Sequence, residues 1–247
     1  MDSIKRELSI FNKFNFERPP VGVKFLFNRP EGVERLGKDT SFCGMLKEAQ
    51  LGKGPFYAEP QQQSCKPGAY VWGAESQKVF ESGLFGVGLK VFKDARADIR
   101  IHQHVKRLDK NIVRYISFSP LDQLSFDPDL LIVMTDSTSQ AEIILRAMTY
   151  TTGEKISSKM TFVMGCSWIL VYPYLTGQVN YVISGMGSGI KANKVFPPGR
   201  EIISMPYNWL PTITRNLREM EWVLPLYTEQ TAKVIQKIKA ELGLQGS

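Results

Sequence analysis

The chain has 247 residues, 43% of them hydrophobic and 22% charged, a composition typical of a folded globular protein. Its longest aliphatic run, Leu130 to Met134, is far shorter than the roughly 20 apolar residues that cross a bilayer, so no membrane span or membrane docking is expected. A net charge of +7 is modest for this length and favours anionic partners without marking a nucleic-acid-binding protein.

In chain order, the first eight residues mix both charge signs where a secretory signal needs an apolar core, so a cytoplasmic protein is expected. Ile4, Leu8, Phe11 and Phe14 share one helical face over residues 3–14, with Asp2 or Ser3 as cap and Pro19-Pro20 closing the segment. Val21, Val23, Phe25 and Phe27 alternate as in a half-buried strand. A helix begins near Thr40-Ser41, carries Cys43 in its first turn and runs to the Gly52–Pro55 break; Phe56–Ala58 is a short strand, and Ser64–Gly68 opens another helix with Pro67 early in it. Residues 92–108 predict a helix with Arg96, Arg100, His104 and Arg107 on one side and Ile101, Val105 and Leu108 opposite.

Strands are predicted over 112–118, 129–135, 159–164, 178–184 and 201–207, with helices over 137–150, 209–221 and 228–242. The Gly165-Cys166-Ser167 step hands the strand at 159–164 to a helix, and Gly185 to Lys191 forms a glycine-rich loop. Gly246-Ser247 carries no pattern and reads as a non-native remnant. No linker or repeat divides the chain, so the expected fold is α/β or α+β, one domain with a mixed sheet flanked by helices.

Chemistry concentrates in Cys43, Cys65 and Cys166. All three fall near helix starts, where unpaired N–H groups favour a thiolate, the form that binds metal. Separations of 22 and 101 residues exclude a CxxC pair and a local zinc knuckle, so any shared site must be assembled by the fold. Three thiolates suit a four-iron cluster with its fourth iron open to a substrate. A Cys3His zinc site is an alternative that admits only one of His102 and His104, which stand two apart on a helix. Free cysteines packed as small hydrophobes are the other alternative.

The loop holding Gly187, Gly189 and Lys191 can turn N–H groups toward an anion, although it lacks the GxxxxGK[ST] spacing. GxSxG, HExxH and kinase signatures are also absent. The segment 90–114 holds eight Lys or Arg against three Asp, a solvated face or a docking face for an acidic protein partner, and no aromatic-basic signature for RNA accompanies it.

Taken together, Arg18-Pro19-Pro20-Val21-Gly22-Val23-Lys24-Phe25, Cys43, Phe56-Tyr57-Ala58, Cys65-Lys66-Pro67-Gly68-Ala69-Tyr70, Cys166, Pro173-Tyr174-Leu175-Thr176-Gly177, Asn180-Tyr181 and the glycine loop resemble the DUF169 family of prokaryotic proteins over nearly the whole chain. The resemblance supplies no substrate. It implies a prokaryotic cytoplasmic protein and gives weight to the cysteines, which fall on positions of the family's pattern. Lys66 departs from that pattern, where a small residue or Pro is expected, and brings a cation to the site.

The resulting expectation is an oxygen-sensitive iron-sulfur protein of lyase or reductase type. Cys43, Cys65 and Cys166 hold a 4Fe-4S cluster, while Lys66, Gly187, Gly189 and Lys191 orient a small anionic metabolite. The alternatives are a non-enzymatic binding protein using Tyr57, Tyr70, Trp72, Trp168 and Tyr181, and a subunit docking through Arg96, Arg100 and Arg107, with a homo-oligomer also open.

Overall fold

The computed structural model of the protein describes residues 7–74, 78–184, 187–224 and 231–244. Seven strands, β1 (Val21–Leu26), β2 (Glu34–Arg35), β3 (Phe56–Ala58), β4 (Tyr115–Pro120), β5 (Leu130–Met134), β6 (Asn180–Ile183) and β7 (Glu201–Pro206), form one sheet in the order β2-β3-β4-β1-β5-β7-β6. β2 and β3 pair parallel and every other neighbouring pair is antiparallel, so the sheet is mixed, as expected. The helices are α1 (Phe42–Gln50), α2 (Lys66–Val71), α3 (Lys78–Glu81), α4 (Phe85–Gly88), α5 (Ala95–His104), α6 (Thr138–Thr149), α7 (Tyr172–Thr176), α8 (Ser188–Ala192), α9 (Leu210–Glu219) and α10 (Thr231–Glu241). No described helix is long and apolar enough to cross a membrane.

Side chains alternate across a strand, so β5 feeds two cores. Leu130, Ile132 and Met134 enter one cluster with residues of α1 and α2, and Leu131 and Val133 enter another with the 3-10 helix Ser9–Phe14, α6 and α9. Covered on both faces, β5 needs apolar residues at every position, which is why it reads as an unbroken aliphatic run. Leu8, Phe11 and Phe14 are buried as the opening periodicity requires, while Asp2, Ser3 and Ile4 lie outside the described residues.

Local capping fixes several boundaries. Ser41, Asp94 and Ser137 each accept a hydrogen bond from the N–H three residues on and start α1, α5 and α6. The strand predicted at 112–118 instead begins at Tyr115, because Asn111 takes a left-handed turn (φ 65°). α5 stops at His104, where Val105 turns extended, so Arg107 lies beyond the predicted cationic helix face.

Residues 159–164 form no strand. Their polar groups are taken up by side chains: Asn180 Oδ1 accepts from Lys159 N (2.8 Å), Asn180 Nδ2 donates to Lys159 O (2.9 Å), and Thr161 Oγ1 donates to Val163 O. An asparagine clamp replaces the ladder partner the apolar pattern suggested. The glycine loop is half helical, with Gly187 capping α8; Gly185 and Met186, residues 228–230 of the last predicted helix, and Gly246-Ser247 lie outside the described residues.

Candidate metal centre

Each cysteine is set by its own local device. Cys43 is the second residue of α1, two residues after the Ser41 cap. Cys65 is the N-cap of α2, with Pro67 at an early position where its missing N–H costs nothing; its N–H donates to Gln63 Oε1 at 3.3 Å. Cys166 opens the π-helical turn Ser167–Val171, which runs on into α7. Met164 before it is left-handed (φ 53°), Ser167 Oγ donates to Lys106 O at 2.6 Å, and Asn180 Nδ2 donates to Trp168 O at 2.8 Å. Such π turns concentrate at functional sites because they widen the helix without ending it.

The three cysteines, from three separate segments, line one cavity of about 350 Å³. Its wall is apolar, with Phe85, Leu89, Val91, Val163, Ile190 and Val195, and only Ser41, Ser188 and Asn193 add polar side chains besides the thiols. All three cysteines are free; Cys43 and Cys65 are half-buried and Cys166 is buried. Desolvation pushes the Cys43 thiol up to about 12, and the charge of Cys65 pushes the same way. Cys166 is raised well above the ordinary thiol value, first by burial, then by Cys43 and Cys65, against the lowering effect of the Ser167 and Cys166 N–H groups. The sulfurs are therefore close enough to feel one another's charge, and without a cation Cys43 and Cys166 are held as neutral thiols.

Among the described residues no three Cys, His, Asp or Glu side chains are placed to grip a single metal ion. Three cysteine thiols on one cavity are a donor set of the chemical type that iron-sulfur clusters use. His102 lines a different cavity and His104 is exposed, so neither joins the cysteines.

Of the other sequence-predicted residues, Gly189 lines the cysteine cavity, whereas Lys66 lines a separate, polar groove of about 760 Å³ with Glu59, Lys110 and Arg114. Gly187 is buried as the cap of α8, and Lys191 is exposed and outside the cavity lining. The expected cationic cradle for an anion is thus absent from the cavity's described lining.

Tyr57, Tyr70, Trp72, Trp168 and Tyr181 do not gather around one pocket: Tyr57 meets Tyr115, Trp72 stacks on Phe42, Tyr70 lines the cavity beside α5, and Tyr181 packs against the opposite core. Arg96 and Arg100 are exposed, while the Arg107 guanidinium sits over the Tyr70 ring. The apolar wall carried by α4 and α8 had no sequence signal, since its residues converge only in the folded chain.

The chain matches the DUF169 family, described as "Uncharacterised ArCR, COG2043", over residues 9–216. It is similar to the uncharacterised protein MJ0308 of Methanocaldococcus jannaschii, with 26% identity over 195 residues that cover 74% of this chain and 83% of the relative. No solved structure matches. The matched segment runs from the first 3-10 helix into α9 and includes all three cysteines, and the chain belongs to the DUF169 family.

Proposed function

We propose that Cys43, Cys65 and Cys166 hold a 4Fe-4S cluster, with one iron free of protein ligands. The observation that supports it is the convergence of three free thiols, from distant segments, on one apolar-walled cavity. Three thiols cannot all be satisfied by disulfides, and burial together raises the cost of ionising Cys43 and Cys166. A bound cationic cluster reverses that cost, because its charge stabilises three adjacent thiolates.

Such a cluster supplies an open Lewis-acidic iron or an electron to a ligand beside it. The protein's own contribution is threefold. The N–H groups of Cys166 and Ser167 face the Cys166 sulfur and stabilise its charge. Phe85, Leu89, Val91 and Ile190 exclude water from the site and lower its dielectric. Ser188 and Asn193 are the polar groups available to orient a bound molecule. The apolar wall favours a substrate with a substantial hydrocarbon part over the small anion that Lys66 and Lys191 suggested. Lyase or reductase chemistry in a reducing cytoplasm, sensitive to oxygen, is the reading that follows.

The test is single replacement. Cys43→Ala, Cys65→Ala and Cys166→Ala should each remove or severely diminish the broad visible absorption of protein prepared without oxygen, while far-UV circular dichroism stays unchanged. Wild-type absorption retained in all three variants would overturn the proposal.

A further inference from the structure

A second cavity, of about 400 Å³, lies beside α5 and shares no lining residue with the cysteine cavity. His102 lines it and is paired with Asp98 behind it in the fold. The side chain of Asp98 is fully buried and that of His102 is 3% exposed. Asp98 has a structural reason to be there, since its Oδ2 accepts the Gly86 N–H of α4 at 2.7 Å. His102 Nδ1 stands 2.9 Å from the Asp98 main-chain carbonyl and 2.8 Å from Asp98 Oδ1. Only the carbonyl contact has hydrogen-bond geometry; Oδ1 has no hydrogen-bond partner among the described residues.

A carbonyl can only accept, so Nδ1 carries the proton and Nε2 of the neutral ring presents a lone pair. That Nε2 is buried and has no partner among the described residues. A core histidine kept only to anchor Asp98 would leave this acceptor stranded, an arrangement folded proteins avoid.

The groups around it are complementary in charge. Arg107 lies with its guanidinium carbon 5.4 Å from the centre of the Tyr70 ring and forms no ion pair among the described residues; Glu81 on the same lining forms none either. Ile99 and Val105 complete the wall with apolar surface.

We infer that this cavity binds a small α-amino acid. The ammonium donates to His102 Nε2 and faces Glu81; the carboxylate pairs with Arg107 and accepts from the Tyr70 hydroxyl; the side chain rests on Ile99 and Val105. A simple anion would be opposed by Glu81, and a simple cation by Arg107, whereas a zwitterion satisfies both. The volume is within the range of small-molecule sites. This site stands independently of the cluster reading.

With only two histidines in the chain, the imidazole nitrogens can be followed one by one in the full-length protein, the exposed His104 serving as internal reference. Protein labelled with ¹⁵N in its imidazole rings is titrated with L-alanine, then with propionate and ethylamine, which lack its ammonium and its carboxylate. L-Alanine should move the His102 Nε2 resonance saturably below roughly 10 mM, a margin of tenfold over ordinary metabolite affinities, with His104 still. Propionate and ethylamine should bind at least about tenfold more weakly, and Arg107→Gln and Glu81→Gln should each weaken L-alanine by a similar factor while the His102 Nδ1 signal shows the fold intact. No movement of His102 in that range overturns the inference. So does propionate binding as tightly as L-alanine, or binding that survives both substitutions.

Discussion

Trp72 stacks on Phe42 with ring centroids 4.8 Å apart and planes 21° from parallel, and this contact joins the helix that carries Cys43 to the helix that Cys65 caps. Both rings are about 1% exposed, and Trp72 Nε1 donates to Val113 O at 3.0 Å, which anchors the pair to the segment leading into β4. Replacing Trp72 with Ala should cost about 3–5 kcal/mol in denaturant unfolding. Trp72→Phe keeps the stack and loses the N–H bond, with an expected cost of about 1–3 kcal/mol. Equal effects of the two changes would mean that the stack does not organise the cysteine helices.

Alkali should weaken the metal-free protein through its thiols. Cys43 is raised from 9.0 to about 12 by burial and by Cys65, so between those values the folded state keeps a proton that the unfolded chain has lost. The resulting stability is fully present below pH 9 and is lost as pH rises toward 12. Cys43→Ala should flatten the fall of the urea midpoint across that window; a slope identical to wild type would contradict the assignment.

The same protonated thiols predict that cluster loading expels protons near neutral pH and strengthens as pH rises. Calorimetry in buffers of different ionisation enthalpy reads the released protons directly. Loading enthalpies that do not depend on the buffer would show that the thiols are not the ligands.

Gly68 gives a test of how Cys65 is held that leaves the cysteines in place. A Cβ there would stand 2.8 Å from Gln63 Cδ and 2.9 Å from both amide heteroatoms, and Gln63 Oε1 is the group that accepts the Cys65 N–H. Gly68→Ala should therefore displace Gln63, cost about 1–3 kcal/mol and lower iron content. By contrast, the Cβ of Gly165→Ala would meet Ile190 Cδ1, the far end of a flexible side chain, and should be better tolerated. Iron content unchanged in Gly68→Ala would separate Gln63 from the site.

Much of this architecture is legible from local signals. Ser41, Asp94 and Ser137 announce their helices, the alternation of Val21, Val23 and Phe25 announces β1, and all three cysteines stand at helix starts as read from the chain. What local patterns could not contain is who replaces a missing ladder partner: Lys159 to Met164 has a strand's apolar content, yet Asn180, 21 residues from Lys159, takes over its hydrogen bonds. The apolar wall of the cavity is tertiary in the same sense. The Asp98–His102 pair had a visible signature, an acid and a histidine four apart on one helix, which cationic periodicity over the same residues obscured.

Elemental analysis of protein isolated without oxygen bears most directly on the cluster. A cluster held by Cys43, Cys65 and Cys166 gives about four iron and four acid-labile sulfide per chain in a brown protein, with zinc absent. A colourless, metal-free product from the same preparation, still folded and with three free thiols, would contradict it.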